Sequence, residues 1–78
     1  MNDKMILIQH AIQKYEKEEE LVEKLKNVLS EKDVQRNLDT LIGTQRVRRI
    51  GPEIFQNNQS HTELPGLPEH LKPLLEKI

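Results

Sequence analysis

Leu29-Ser30-Glu31-Lys32-Asp33-Val34 is the stretch on which the architecture turns. Ser30 with Asp33 three residues on forms a variant capping box, Ser30 as N-cap and Asp33 at the third helical position. Leu29 before the cap and Val34 after it stand where a hydrophobic staple places its two side chains. A helix is therefore expected to start near Glu31, with a sharp turn just before it. The alternative is one continuous helix carrying Ser30 in its interior.

Upstream of the turn, residues 3–29 read as one long helix. The segment has no Gly or Pro; Asn2 can cap its start, and Asp3 suits the positive end of the helix dipole. Met1, Ile8, Tyr15, Val22 and Leu29 recur at seven-residue spacing, Ala11 and Leu25 follow at the d position, and Leu7, Leu21 and Val28 lie at g. Such a seam favours left-handed helix packing. It is interrupted at Glu18, and Lys14 to Glu20 is polar apart from Tyr15, so the helix has two apolar ends and a wet waist.

Downstream, Val34, Leu38, Leu41 and Ile42 form one apolar face of a second, shorter helix. Val47 and Ile50 point to the opposite side, and the phase slips near Gly43, a natural terminator, so the helix either ends there or continues and buries a different face. From Gly51 to Pro68 the chain reads as extended, with Gly51-Pro52, Gln56 to Ser60 and Leu64-Pro65-Gly66 as turn or loop material and Ile54-Phe55 pinning it to the body. Leu71, Leu74, Leu75 and Ile78 give the last segment a helical apolar pattern; Pro68 suits a helix start, and Pro73 implies a kink or a very short helix. The expected fold is all-α: an αα-hairpin over residues 1–50, a linker over 51–66 and a short amphipathic helix over 67–78.

Seventy-eight residues allow one domain, and a chain this short buries only about 60% of its unfolded surface. With no Cys, neither a disulfide nor a thiolate zinc site can staple it. The short second helix can shield Val22, Leu25 and Leu29 but cannot reach Met5, Ile8 and Ile12. Two hairpins packed as a four-helix bundle would cover them, so a homodimer is expected with Ile8, Ile12 and Tyr15 at its interface. The simpler alternative folds residues 47–78 over the same patch within one chain.

The net charge is −1, unevenly spread. Residues 1–33 carry eight acids and six Lys, and residues 51–78 carry four Glu and two Lys. Residues 34–50 hold Arg36, Arg46, Arg48 and Arg49 against Asp39 alone, so every Arg lies in the middle segment. Arg46, Arg48 and Arg49 could bind phosphate, since the guanidinium fork matches phosphate geometry. Slight overall acidity and only two aromatics favour the other reading, in which these Arg pair with the Glu-rich first helix of the same molecule or its mate.

His10, His61 and His70 have no zinc-ligand spacing, Ser30 and Ser60 have no base or glycine elbow near them, and no Gly-rich phosphate loop occurs. Glu18-Glu19-Glu20 with Glu23 reads as a solvated helix face, Glu20 pairing with Lys24. No cofactor, metal or enzymatic activity is expected. The longest apolar run, Met5 to Ile8, is too short to span a membrane and lacks signal-peptide flanks, so a cytoplasmic location is expected.

Gln35-Arg36-Asn37-Leu38-Asp39-Thr40-Leu41-Ile42 resembles the Leu-Asp core of small sporulation phosphatases of the Spo-zero-E type, which are helical hairpins. The resemblance covers these eight residues, and Gln35 stands where that family has Ser, so phosphatase activity is not implied. The functional expectation is a regulatory protein (inhibitor, antagonist or adaptor) that binds a protein partner through helical apolar surfaces, with Leu67, Leu71, Leu74, Leu75 and Ile78 as the partner-binding peptide. The alternative is a dimeric nucleic-acid-binding protein using Arg36, Arg46, Arg48 and Arg49.

Overall fold

In the computed structural model, described for residues 2–58 and 64–78, the chain forms α1 (Asp3–Lys14), α2 (Glu18–Leu25), α3 (Glu31–Gly43), a hairpin of β1 (Val47–Gly51) and β2 (Ile54–Asn57), and a 3-10 turn (Glu69–Leu71) running into α4 (Lys72–Glu76). Met1, Ser60 and His61, singled out in the sequence, lie outside the described residues.

The all-α expectation is corrected: the chain is 57% helical and 14% strand, with a two-stranded antiparallel sheet that the expected fold lacked. β1 straddles the expected boundary between residues 50 and 51, and β2 falls inside the expected 51–66 linker. β-branched Val47, Ile50 and Ile54 with Phe55 suit a pleated, half-buried surface. Pro52 presets φ for the first central position of the tight turn between Gly51 and Ile54, which face each other across the ladder. Ile50 is an extra residue, bulged out between the Arg49–Phe55 and Gly51–Ile54 pairs.

The long first helix is corrected as well. It divides into α1 and α2 at Tyr15-Glu16-Lys17, where Tyr15 (φ −135°, ψ 103°) and Lys17 (φ −73°, ψ 129°) are extended. The Phe55 N–H donates to the Glu16 carbonyl at 2.8 Å, the Glu18 N–H donates to the Glu53 carbonyl at 2.7 Å, and Lys17 bridges to Ile54. The wet waist thus runs extended beside β2, joined to it by a single bridge outside the two-stranded sheet. The Glu53 carbonyl also takes up one of the donors left open at the α2 N-terminus, where Lys17 offers no side-chain cap. α2 ends at Leu25, and residues 26–29 form the turn.

α3 begins as its cap chemistry requires: Ser30 is the N-cap and its hydroxyl accepts from the Asp33 N–H at 3.1 Å. Asn2 caps α1 by accepting from the Met5 N–H at 2.8 Å. Asn2 also donates to the side chain of buried Asn37 at 3.3 Å, and Lys4 pairs with Asp33 at 2.7 Å, so the N-termini of α1 and α3 lie side by side. The helical hairpin is therefore replaced by α1 at the centre, packed against α3, β2, α4 and α2.

Candidate protein-docking surface

The residues assigned to self-association are interior or half-buried. Ile8 is 0% and Ile12 2% exposed, within a core that also holds Leu7, Leu25, Val34, Leu41 and Phe55. Half-buried Tyr15 donates from its hydroxyl to the Ile78 carbonyl at 3.4 Å and carries the Lys24 ammonium 5.7 Å from its ring centroid. α1 is covered by elements of its own chain, so these side chains offer no ready face to a second copy.

The C-terminal peptide is likewise folded onto its own chain. Leu71 and Ile78 are buried, Leu74 and Leu75 pack partly against the core, and Leu67 is half-buried. His10 Nε2 lies 2.7 Å from the Pro65 carbonyl, a bond that uses its Nε2–H form, and His70 lies 2.6 Å from Asp3. Asn27 donates to the Lys77 carbonyl at 3.4 Å. Among the described residues no group of three or more His, Asp or Glu is placed to hold a metal ion.

The Arg residues do not converge on one fork, and strand alternation is the reason. Arg49 pairs across the ladder with Phe55, which faces the core; its guanidinium lies 4.5 Å from that ring. The same guanidinium donates to both Glu18 carboxylate oxygens, at 2.9 and 3.4 Å, and to the Pro52 carbonyl at 3.0 Å. The bonds from Arg49 hold the Glu18 carboxyl below its ordinary pKa, and the Glu18 carboxylate raises that of Arg49. Arg48 pairs with Gln56 on the opposite face and donates to its side-chain oxygen from Nε (3.2 Å) and Nη2 (2.9 Å). Arg46 is half-buried, its Nε without a hydrogen-bond partner, and Arg36 sits exposed on α3. Leu38 and Leu41 of the eight-residue resemblance are core, and Asp39 between them is exposed.

What remains open is the outer face of the hairpin. Phe55 and Asn57 point inward, Asn57 donating to the Gln9 carbonyl at 2.9 Å, so alternation turns Ile54 and Gln56 outward with Arg48. At the bulge, Ile50 is 51% exposed, the one exposed large hydrophobic among the described residues. A shallow cleft of about 470 Å³ lies beside the hairpin tip, lined by Lys17, Glu19, Pro52, Glu53 and Ile54. An adjoining one of about 280 Å³ shares Lys17, Glu19 and Glu53 and adds Glu20 and Glu23. Among the described residues none of these four Glu has an ion-pair partner, Glu20 and Lys24 included. The outer face thus runs from Arg48 at the base of the hairpin, past Ile54 and Pro52, to carboxylates at the tip, with Ile50 exposed at the bulge.

The sequence carried a signal for this site that periodicity on a helix obscured: two short β-rich runs on either side of Gly51-Pro52. No helix among the described residues is long and apolar enough to cross a membrane. Comparison with protein-family models, with curated proteins and with solved structures finds no match to this chain.

Proposed function

We propose that the protein works by binding another protein, as an inhibitor, antagonist or adaptor, and that the outer face of the hairpin is its contact surface. The observation that carries this reading is Ile50. The fold buries or half-buries the other large apolar side chains among the described residues, yet leaves this one in solvent on a bulge. Bulges re-aim a side chain, and an apolar centre within a polar rim is the anatomy of a protein interface. The helical surfaces first expected to bind a partner are engaged within the chain, which moves the proposed surface to the hairpin.

The nucleic-acid alternative has weaker support. Arg49 is taken by Glu18 and Phe55, Arg48 leans on Gln56, and carboxylates crowd the tip nearby. A photo-crosslinker placed at Gln56 in living cells tests the proposal. The expected product is a covalent adduct with a protein whose binding, reconstituted from purified components, is lost on Ile50→Asp. Adducts with nucleic acid, or a steep loss of affinity with salt of the kind that phosphate contacts produce, would overturn it.

A further inference from the structure

We infer that one occupant of the outer hairpin face is a second copy of the same chain, docked face to face about a two-fold axis. The inference rests on the reading of that face as a protein contact surface and adds the partner's identity.

Two-fold docking needs a self-complementary patch: whatever lies on one side of the axis must suit what lies on the other. This face meets the condition through its charge order. Arg48 stands toward the base of the hairpin, Ile54 and Pro52 with bulged Ile50 occupy the middle and turn, and Glu53 with Glu19 stand at the tip. Turning a second hairpin over so that its strands run antiparallel to the first sets each base above the other's tip. Each Arg48 then faces the partner's Glu53 and Glu19, and aliphatic side chains meet at the axis.

The local partners are compatible with this exchange. Arg48 bonds only to a neutral amide oxygen of Gln56, leaving its charge uncompensated by any acid within ion-pair distance among the described residues. Glu53 and Glu19 are unpaired there too, and Lys17 is the single cation in their cleft wall. Arg49, by contrast, is committed to Glu18 and takes no part.

The face is small. Stable interfaces bury about 800 Å² on each partner, and a hairpin of 11 residues from Val47 to Asn57 offers less, so a weak, reversible dimer is expected.

Sedimentation equilibrium on the full chain, from about 10 µM to about 1 mM at low salt, tests this. The average mass should rise from 9.2 kDa toward twice that value as concentration increases. Ile50→Asp should abolish the rise. Arg48→Glu and Glu53→Arg should each weaken it by about tenfold or more, because each homodimer then sets like charges opposite one another. An equimolar mixture of those two variants should recover association, since both cross-pairs become opposite again. Circular dichroism on each variant checks that the fold is retained. A monomer throughout, association indifferent to these substitutions, no recovery on mixing, or mass growing past the dimer would each overturn the inference. If the chain stays monomeric while Ile50→Asp still breaks a complex with another protein, this inference fails and the proposed function stands. A dimer sensitive to these substitutions, with no other protein captured at Gln56, supports the inference and overturns the proposed inhibitor or adaptor role.

Discussion

Gln45 holds a positive φ of 62°, the only residue to do so among those described, glycines included, and it closes α3. The Arg46 N–H returns to the Leu41 carbonyl at 2.9 Å and the Gln45 N–H to that of Ile42 at 3.0 Å, the paired bonds of a Schellman ending. Glycine is the usual residue at that position, yet here Gly43 lies two residues early and inside the helix. The chain therefore bears a glycine where alanine serves better and a side chain where glycine does. A Cβ at residue 43 would meet nothing within 4 Å. Gly43→Ala and Gln45→Gly are each expected to stabilise the fold by about 1 kcal/mol, read as a higher urea midpoint at unchanged slope. At the other end of α3, Ser30→Ala removes the acceptor for the Asp33 N–H and should cost about 1 kcal/mol on the same measurement. An unchanged midpoint for Ser30→Ala would mean that water replaces the cap without loss.

At the scale of elements, the junction of α1, α2 and the hairpin is held by Glu18, Arg49 and Phe55. Glu18 titrates below its ordinary 4.5 because Arg49 hydrogen-bonds its carboxylate, and Asp33 titrates below its ordinary 3.8 because Lys4 does the same between α1 and α3. Carboxyls with depressed folded-state pKa values contribute stability that is fully present above their unfolded values and lost as pH falls through the folded ones. The denaturation midpoint should therefore hold steady above about pH 5 and decline below about pH 4. Glu18→Gln with Asp33→Asn should flatten that decline; an equally steep decline would assign it to other carboxyls. This junction also marks the limit of what the sequence makes legible. The start of α3 was legible because Ser30 and Asp33 are near neighbours whose bond is local. The break at Tyr15-Glu16-Lys17 was not, because no Gly or Pro makes it. It exists because the Glu16 carbonyl and Glu18 N–H find Phe55 and Glu53, more than thirty residues away. The candidate face was half legible: the Arg cluster stood out, but assigning Val47 and Ile50 to a helix phase hid the alternation that sets Arg48 and Arg49 on opposite faces of the hairpin.

For the molecule as a whole, α1 is the organising element. Met5, Leu7, Ile8, Ala11 and Ile12 are all buried, a stripe too wide for one neighbouring helix. As a heptad seam, that apolar surface called for a second chain; in the structure α3, β2 and α4 close around it. The Cα radius of gyration, 11.3 Å, matches the roughly 11.5 Å of a compact chain of this length. Closure depends on the last segment, which returns to α1 through Leu71 and Ile78, with Tyr15 and His70–Asp3 at its edges. Leu71 is 3% and Ile78 8% exposed, so their removal strips cover from the central helix instead of shortening a tail. A fully buried leucine or isoleucine contributes about 1.5–3 kcal/mol, and a chain this small holds little in reserve. Deleting residues 67–78 should therefore abolish cooperative unfolding, leave much of the helical circular dichroism, and expose apolar surface to a dye such as ANS. The milder Leu71→Ala and Ile78→Ala, each costing about 2–5 kcal/mol if the site cannot collapse, should lower the midpoint without abolishing the transition. A truncated protein that unfolds as cooperatively as the whole chain would show that the segment is an appendage, free to leave α1 and dock elsewhere.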